Sequence, residues 1–592
     1  METTSHRLVR QTILSALCTY TSSWIRPSDN ADCTSYVIPT YLPTLPYPTL
    51  HYTTHFSPAD SPNMQLATIA ALLTAPIVAQ FLYRCWTNPL RKIPAAHPLA
   101  HFTSLWINHV RWRSVENATL QRAHRELGPV VRLGPNEVSV NCVKGGIREI
   151  YAGGFEKANL NGTFNWYAFF TNFGESNMFS TGRNKAHSAR KRMLSNIYSK
   201  SVITASPALL AQVSTILYDR FLPRLACAFS KEDPGVLNIN PLLNAATMDI
   251  LSAYIFGLKS SSNLIDDPEQ LSWFLDLYNS RRSFNFWPQE LPALTSFVKK
   301  WFRYRLVPEW VDKANMDIED WTHGMCERAV KVISEGAANV ADRPVVYEQL
   351  SGALAKEAKK AGEEGRDCRL LAASEVLDQI AAGFDTSGIT LTYVIHELSR
   401  NTQVQARLQR ELRTLSSCIS PSSSPTLPDG KAVDALPYLH AVIWETLRLH
   451  PAIPGPQPRV SPPQGCRLGS DGNTYYVPGG VRVSASAGLL HLHEEVYPQA
   501  HEWKPERWLE LEKLDDEKKR DMENRWFWAF GSGGRMCVGS HLAVYQMKYI
   551  VAAVYSNYTT AIVDDAGIEQ SDAYTAPPKN SELFIRLQRL ES

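Results

Sequence analysis

The sequence predicts a mainly α-helical fold with a minor β region, preceded by one N-terminal transmembrane helix. Three observations support this prediction. Long apolar segments with helical periodicity recur after about residue 100, β-rich segments are short and few, and one uncharged apolar run of 18 residues lies near the N-terminus. No repeat or obvious linker divides residues 100–592, so they are predicted to form a single large domain.

Residues 1–63 differ in composition from the rest of the chain. They are rich in Ser, Thr, Tyr and Pro and show neither helical nor alternating periodicity. We expect a disordered N-terminal extension. The first 28 residues contain Arg7, Arg10 and Arg26 and one acid, Glu2, so a mitochondrial presequence is the alternative.

Residues 64–83 are predicted to form a transmembrane anchor. The uncharged run Leu66–Tyr83 has 18 residues. At ~1.5 Å per residue such a helix extends roughly 27 Å, close to the ~30 Å of a hydrocarbon core. The alternative is a buried core helix. Basic residues after the run place the following domain in the cytosol: Arg84, Arg91 and Lys92. Residues 84–99 contain Pro89, Pro94 and Pro98 and are predicted to form a hinge.

Three helices and two β regions are predicted within the large domain. The helices are Asn240–Leu258, capped by Asn240, then Ala373–Arg400, capped by Ser374, and Leu436–Pro451, ended by its proline. A hairpin is predicted over Gly128–Val140, turning at Gly134-Pro135-Asn136. Short strands are predicted at Tyr475–Val477 and Val481–Ser484.

Charge and cysteine content exclude several classes of protein. The chain has 60 Lys and Arg against 58 Asp and Glu, a net charge of +2, so no nucleic-acid partner is expected. Its 10 cysteines form no CxxC pair, which excludes a disulfide scaffold and a zinc-finger array.

One cysteine lies in a pattern that indicates haem chemistry. The segment Phe530–Gly539 reads FGSGGRMCVG and is followed by an amphipathic helical run. A cysteine thiolate can bind haem iron and favour O–O cleavage. Its charge needs stabilising, and the glycines allow a tight loop with N–H groups facing the sulfur, while the following helix adds its N-terminal dipole. A buried structural cysteine is the alternative.

This pattern resembles the signature of the cytochrome P450 family of haem-thiolate monooxygenases, F-x-x-G-x-R-x-C-x-G. The resemblance covers roughly residues 88–592. It implies a cytochrome P450-like fold and a haem b group (iron protoporphyrin IX). Cys537 would be the axial ligand of the iron, Arg535 would pair with a propionate, and Phe530 would cover the proximal face.

Two further motifs match the family in order along the chain. Glu445 and Arg448 match its E-x-x-R pair, and Arg507 matches the arginine that joins this pair in a buried structural network. Ala382-Gly383-Phe384-Asp385-Thr386 resembles the oxygen-binding helix. By this resemblance Gly383 lets the backbone approach dioxygen or lets the helix open, while Asp385 and Thr386 relay protons. The alternative for Thr386 is a hydrogen bond to a carbonyl one turn earlier.

Three more residues match positions that bind the haem propionates in the family: His187, Lys191 and Arg459. Lys191 stands where arginine is usual and cannot form a bidentate fork, so Arg190 and Arg192 are alternatives. A solvated basic helix face is the alternative for the whole group.

The resemblance also implies substrate, partners and location. Aromatic residues between Phe155 and Phe179 and between Trp273 and Trp287 suggest a bulky apolar substrate. Electrons would come from NADPH through NADPH-cytochrome P450 reductase, or from cytochrome b5. The chain would be a single-pass protein of the endoplasmic reticulum membrane. It would hydroxylate or epoxidise a terpenoid, polyketide or alkaloid in fungal secondary metabolism. The alternatives are a reductase-independent haem isomerase or dehydratase and a non-catalytic haem-binding protein.

Overall fold

The computed structural model of the protein describes residues 74–590, except 77, 84, 160–164, 231–234, 364, 418, 422–425 and 471. The predicted extension, residues 1–63, and much of the predicted anchor therefore lie outside the described residues. Helical stretches cover residues 74–76, 78–83 and 85–87. Among the helices that are described, none has the length and apolar character needed to cross a membrane.

Helices account for most of the described chain. They are α1 (Leu105–Trp112), α2 (Glu116–Leu127), α3 (Arg148–Ala152), α4 (Asn184–Leu194), α5 (Lys200–Ala205), α6 (Pro207–Thr215), α7 (Leu222–Ala226), α8 (Ile239–Phe256), α9 (Pro268–Ser280), α10 (Phe286–Glu290), α11 (Pro292–Phe302), α12 (Glu309–Glu335), α13 (Val345–Lys360), α14 (Arg369–Arg400), α15 (Thr402–Leu412), α16 (Gly430–Asp434), α17 (Pro437–Leu449), α18 (Ala487–His491), α19 (Glu506–Leu509), α20 (Asp516–Arg520) and α21 (Ser540–Tyr555).

The strands form small sheets. They are β1 (Val130–Gly134), β2 (Glu137–Val140), β3 (Val236–Asn238), β4 (Arg459–Val460), β5 (Cys466–Leu468), β6 (Tyr475–Val477), β7 (Arg482–Ser484), β8 (Tyr558–Asp564) and β9 (Phe584–Arg589). One sheet has the order β1-β2-β7-β4, with β2 and β7 parallel and the other pairs antiparallel. The others are β3-β9-β8 and β5-β6, and all their pairs are antiparallel.

The main hydrophobic core surrounds α14, which packs against α8. Nearly every residue of α8 and most residues of α14 are buried, as expected for helices in the centre of a large domain. Helix α21 packs on α14 as well, and Gln546 of α21 donates a hydrogen bond of 2.8 Å to Ser387. The loop that precedes α21 is thereby held beside the middle of α14.

The structure confirms a mainly helical fold with a minor sheet, but helix starts differ from those predicted. Helix α8 is capped by Asn238 rather than Asn240. Helix α14 begins at Arg369, and Ser374 lies inside it, where its hydroxyl donates to the carbonyl of Glu175 instead of capping the helix. Tertiary contacts override the local capping signal in this case.

The predicted β regions and the predicted hinge also have clear outcomes. The hairpin is confirmed, with Val130 opposite Val140. The strands predicted near residues 475 and 482 exist but belong to different sheets, β5-β6 and β1-β2-β7-β4. Within residues 84–99, Leu90 and Ile93 are buried, so this proline-rich segment is packed against the domain.

Candidate functional site: a cysteine loop beside buried cations

Cys537 lies in a tight loop that ends at the start of α21. Gly531 and Gly533 have φ values of 66° and 69°, in the left-handed region that favours glycine. A short 3₁₀ turn, Gly533–Arg535, follows, and the N–H of Cys537 donates to the carbonyl of Phe530 at 2.9 Å. The loop therefore has the compact form predicted from its glycines. Phe530 is partly buried and packs against the main core.

The side chain of Cys537 is exposed, although the residue is surrounded by other parts of the fold. Burial raises the pKa of its thiol. The backbone N–H groups of Gly539 and Ser540 and the ammonium group of Lys191 act in the opposite direction and favour the thiolate. An accessible sulfur with donors arranged around it is suited to bind a metal or an electrophile.

Arg535 and Lys191 join this loop to α4. The Arg535 guanidinium donates to the carbonyls of Thr181 and Gly182 at 2.8 and 3.0 Å and to Asn184 Oδ1 at 3.0 Å. In the other direction, Lys191 Nζ donates to the carbonyls of Gly534 and Met536 at 3.1 and 2.9 Å. Of the two alternatives to Lys191 as a propionate partner, Arg190 pairs with Glu375 and Arg192 is exposed.

A cluster of buried cations lies beside Arg535. Arg459 on β4 is 5% exposed, and its Nη1 donates to the hydroxyl of Tyr167 at 2.6 Å. Lys157 is 4% exposed, and its Nζ donates to the carbonyl of Phe179 at 2.7 Å. No carboxylate of the described residues lies within 4.0 Å of these three cations. We call Lys157, Arg459 and Arg535 the cation cluster.

The members of the cation cluster repel one another, and this repulsion lowers pKa values within the cluster. Burial, together with Arg459 and Arg535, holds the pKa of Lys157 well below its usual value. Burial and Arg459 lower the pKa of Arg535 to about 10. Burial and the surrounding cations lower the pKa of His187 to about 3, so this residue is neutral at neutral pH. Asp378 acts on the pKa of Lys157, and Glu156 on that of Arg535, in the opposite direction. Neither carboxylate comes within 4.0 Å, so no ion pair among the described residues neutralises the cluster.

Asp385 and Thr386 lie in the middle of α14. Asp385 is 4% exposed, and its Oδ1 accepts a hydrogen bond of 2.7 Å from Arg282, in a short turn after α9. Its Oδ2 is buried and has no hydrogen-bond partner among the described residues. The hydroxyl of Thr386 donates to the carbonyl of Ala382 at 2.8 Å, which is the local bond expected as the alternative.

Gly383 lies where α14 packs against α8. A Cβ atom at this position would lie 2.6 Å from Leu251 Cδ2 of α8, so the missing side chain permits close contact between α8 and α14. The neighbouring Ala382 is exposed, although it lies on the central helix. Ala382 thus marks an open face of α14.

Glu445, Arg448 and Arg507 meet in one buried network, as the sequence predicted. Glu445 and Arg448 are 0% exposed and form a two-bond pair of 2.7 and 2.9 Å. Arg507 Nε donates to the same carboxylate at 2.9 Å, and so does the indole of Trp508. The remaining donors of Arg448 reach the carbonyls of His491, Ala500 and Glu502, so every charge is satisfied.

Comparison with known proteins decides the family. The family model described as Cytochrome P450 matches residues 98–583. The chain belongs to the cytochrome P450 family. It is thereby a haem-thiolate monooxygenase. Cys537 stands at the cysteine of the signature that the sequence resembles.

Curated relatives match along most of their length. They include the cytochrome P450 monooxygenases hkm5 of Aspergillus hancockii and ucsK of Acremonium sp. The first is 28% identical over 527 residues and the second 27% over 516 residues. These alignments cover 86% and 82% of this chain and 92% of each relative. Cytochrome P450 monooxygenase avaI of Aspergillus versicolor is 29% identical over 429 residues, covering 71% of this chain and 92% of the relative.

The residues of this P450 fit a haem group. The cation cluster forms no ion pair within 4.0 Å among the described residues, and Arg459 Nε is buried there without a hydrogen-bond partner. Haem propionates would supply the missing negative charge and acceptors. Cys537 and Ala382 are both exposed despite their interior positions, and they would offer a metal ligand and an open helix face.

Two residues of this site were missed by sequence reasoning. Lys157 and Arg282 have no distinctive neighbours in the sequence, and each acts on residues more than a hundred positions away. The only available signal for Lys157 was a single cation inside an aromatic-rich stretch. Its ammonium group lies 3.8 and 3.9 Å from the ring centroids of Tyr167 and Phe179.

Proposed function

We propose that this P450 binds haem b, that Cys537 would hold its iron and the cation cluster its propionates, and that the protein uses O₂ and electrons from NADPH to oxidise a bulky apolar substrate. The single observation that carries the haem assignment is a cation cluster without an ion pair among the described residues, next to an accessible cysteine. When bound, the haem supplies dioxygen binding and oxidising power, while the protein supplies the ligand, the orientation and the proton path.

The polar residues of α14 have a defined part in this proposal. Arg282 holds one oxygen of Asp385, which leaves Oδ2 to exchange a proton with a water molecule or the Thr386 hydroxyl. Both residues are in the part of α14 that has an open face. This arrangement supports reductive oxygen activation, which needs protons, over a reductase-independent isomerase or dehydratase.

Aromatic side chains support an apolar substrate. Rings from the 165–179 segment and the C-terminal region contact one another at centroid distances of 4.9 to 6.5 Å: Trp166, Tyr167, Phe170, Phe179 and Tyr574. Such a cluster excludes water and favours bulky apolar molecules. We propose a tailoring hydroxylation or epoxidation of a terpenoid, polyketide or alkaloid in fungal secondary metabolism.

The decisive test of haem-thiolate ligation is spectroscopic. Reduced wild-type protein with carbon monoxide should absorb at about 450 nm, and a band at about 420 nm in the native protein would contradict the proposal. Cys537→Ser should abolish the 450 nm band and product formation. Cys466→Ser, at a partly buried cysteine of β5, is the matched control and should change neither.

The substrate and the electron source are tested separately. Deleting the gene from its host should cause an unoxidised precursor to accumulate, and that compound should be converted by the purified protein. Conversion should require NADPH and NADPH-cytochrome P450 reductase, with cytochrome b5 tested as an added donor. Turnover without NADPH would favour the isomerase or dehydratase, and haem binding without any turnover would favour a non-catalytic protein.

We further propose a single-pass anchor at residues 64–83 in the endoplasmic reticulum membrane, with the catalytic domain in the cytosol. The uncharged run and the following basic residues support the anchor. Helix α11 adds an apolar surface, since Trp301 and Phe302 are each 69% exposed. Carbonate extraction should leave the full chain in the membrane pellet. Release into the supernatant would contradict the anchor.

A further inference from the structure

Lys191 occupies a helix position from which a haem propionate is the expected partner, but its side chain turns towards the cysteine loop. Its Nζ donates to the carbonyls of Gly534 and Met536, at 3.1 and 2.9 Å. Met536 directly precedes Cys537. The ammonium group thus fixes two peptide units immediately before the sulfur.

The same loop is fixed from the other direction by Arg535. Its guanidinium donates to the carbonyls of Thr181 and Gly182 and to Asn184, at the start of α4. Helix α4 and the cysteine loop therefore exchange hydrogen bonds at two points, about two turns of helix apart. With both points fixed, the loop cannot rotate about either one alone, so the position of the sulfur is tied to α4.

Lys191 also places a positive charge beside the sulfur. The ammonium group is held there by its hydrogen bonds to the two carbonyls before the sulfur, and it attracts negative charge on the sulfur. A nearby positive charge stabilises the more negative, reduced state of a metal centre, and hydrogen bonds around a ligating sulfur have the same effect on its potential. The role of propionate partner in this region is available to Lys157, which is buried within the cation cluster.

We propose that Lys191 is a positioning residue for the axial thiolate, which holds the cysteine loop in place and raises the reduction potential of the haem iron. This inference rests on the haem assignment proposed above. It assigns Lys191 to the sulfur side of the haem and leaves Lys157, Arg459 and Arg535 to the propionates.

The test uses the full-length haem protein and three substitutions. Lys191→Met removes the charge and the hydrogen bonds, Lys191→Arg keeps both, and Lys185→Met removes an exposed lysine of the same helix as a matched control. The midpoint potential of the iron is measured by spectroelectrochemistry. At one pH, we also measure how fast the reduced carbon monoxide complex changes from the form that absorbs at about 450 nm to the form that absorbs at about 420 nm.

We expect Lys191→Met to lower the midpoint potential and to accelerate loss of the 450 nm form several-fold. Lys191→Arg and Lys185→Met should stay close to wild type. If Lys191→Met takes up no haem while Lys191→Arg does, the requirement for the charge and donors is also supported. The inference would be overturned if Lys191→Met and Lys185→Met had the same midpoint potential and the same rate of loss of the 450 nm form. It would also be overturned if Lys191→Met and Lys191→Arg lost haem binding to the same extent. A wild-type protein without a 450 nm band would instead refute the proposed function.

Discussion

Asp385 is a carboxylate in the middle of a buried helix, where an isolated charge would be costly. Arg282 supplies its counter-ion at 2.7 Å. Burial alone would lower the pKa of Arg282, but Asp385 raises it, which is the direction expected for a stable ion pair. The pair leaves one oxygen of Asp385 without a partner among the described residues, so the acid is held in place while still able to take part in proton transfer.

Asp385→Asn is expected to slow product formation by about 100-fold, because an amide cannot accept and release the proton. Haem content and the 450 nm band should stay normal, and more of the NADPH consumed should appear as hydrogen peroxide. Product, NADPH and peroxide are measured in the same reaction. A normal ratio of product to NADPH in this variant would show that Asp385 is not in the proton path.

Lys157 provides a second test at the scale of one residue. In the haem-free protein this buried cation is repelled by Arg459 and Arg535, so Lys157→Met should raise the unfolding temperature of the apoprotein. In the haem protein the same change removes a charge-assisted hydrogen bond, and we expect a loss of about 2 kcal/mol in haem affinity. Haem transfer to an acceptor protein measures the second effect. This explanation requires that Lys157→Met both stabilises the apoprotein and weakens haem binding.

At the scale of secondary-structure elements, buried charges join segments that have no backbone hydrogen bonds to one another. Glu445 joins α17 to α19 and the segment before it, through the side chain of Arg507 and the backbone N–H of Lys504. Glu290, at the end of α10, accepts from Arg482 of β7 at 2.6 Å and from the indole of Trp166 at 2.7 Å. Such pairs specify one arrangement of elements, because any other arrangement leaves charges buried and unpaired.

Glu445→Gln is expected to cost about 3–5 kcal/mol of stability and to prevent haem incorporation, because it leaves Arg448 and Arg507 without their shared carboxylate. The same outcome is expected for Arg448→Ala. Glu357→Gln is the matched control, since Glu357 pairs with Lys360 at the same spacing of three residues, but on the exposed surface. A normal haem spectrum for Glu445→Gln would contradict the structural role of the network.

Glu290→Gln tests the contact between α10 and the sheet. Burial alone would raise the pKa of Glu290, but Arg111 and Arg482 lower it to about 2, so the carboxylate stays charged across the neutral range. Its neutralisation should increase hydrogen exchange in residues 281–302 and accelerate carbon monoxide binding. Asp312→Asn, which breaks an exposed pair with Arg305, is the control and should change neither.

At the scale of the whole molecule, buried neutral histidines make the fold sensitive to acid. Burial lowers the pKa of His124 to about 4 and of His187 and His491 to about 3. Their ordinary value is 6.5. In the unfolded chain these residues bind protons below about pH 6.5, whereas in the folded chain they stay neutral, so their contribution to stability is lost as the pH falls from 6.5 towards 3–4.

His124→Gln is expected to reduce this acid sensitivity. At about pH 5 the lowered pKa of His124 should cost the wild type about 2 kcal/mol relative to neutral pH, a cost that glutamine does not carry. Unfolding midpoints of both proteins are compared at about pH 7.5 and about pH 5, so that buried carboxyl groups with raised pKa values, which act in the opposite direction, cancel. The same decrease in both proteins would contradict this assignment.

The sequence by itself determined the features that depend on neighbouring residues. The glycine loop around Cys537, the i,i+3 pair of Glu445 and Arg448, the Gly128–Val140 hairpin and the long apolar helices are all set by local conformation and periodicity, which can be read along the chain. Helix starts were less accurate, because Ser374 and Asn240 bond to distant segments instead of capping their helices.

Only the tertiary structure decided which distant side chains meet. Lys157, Arg459 and Arg535 come from three separate segments, and Arg282 is 103 positions from Asp385. The direction of the Lys191 side chain depends on the contact between α4 and the cysteine loop, more than 340 positions away in the sequence. Electrostatic and hydrogen-bonding forces act over a few ångströms of space, so they become visible only when packing has brought these segments together.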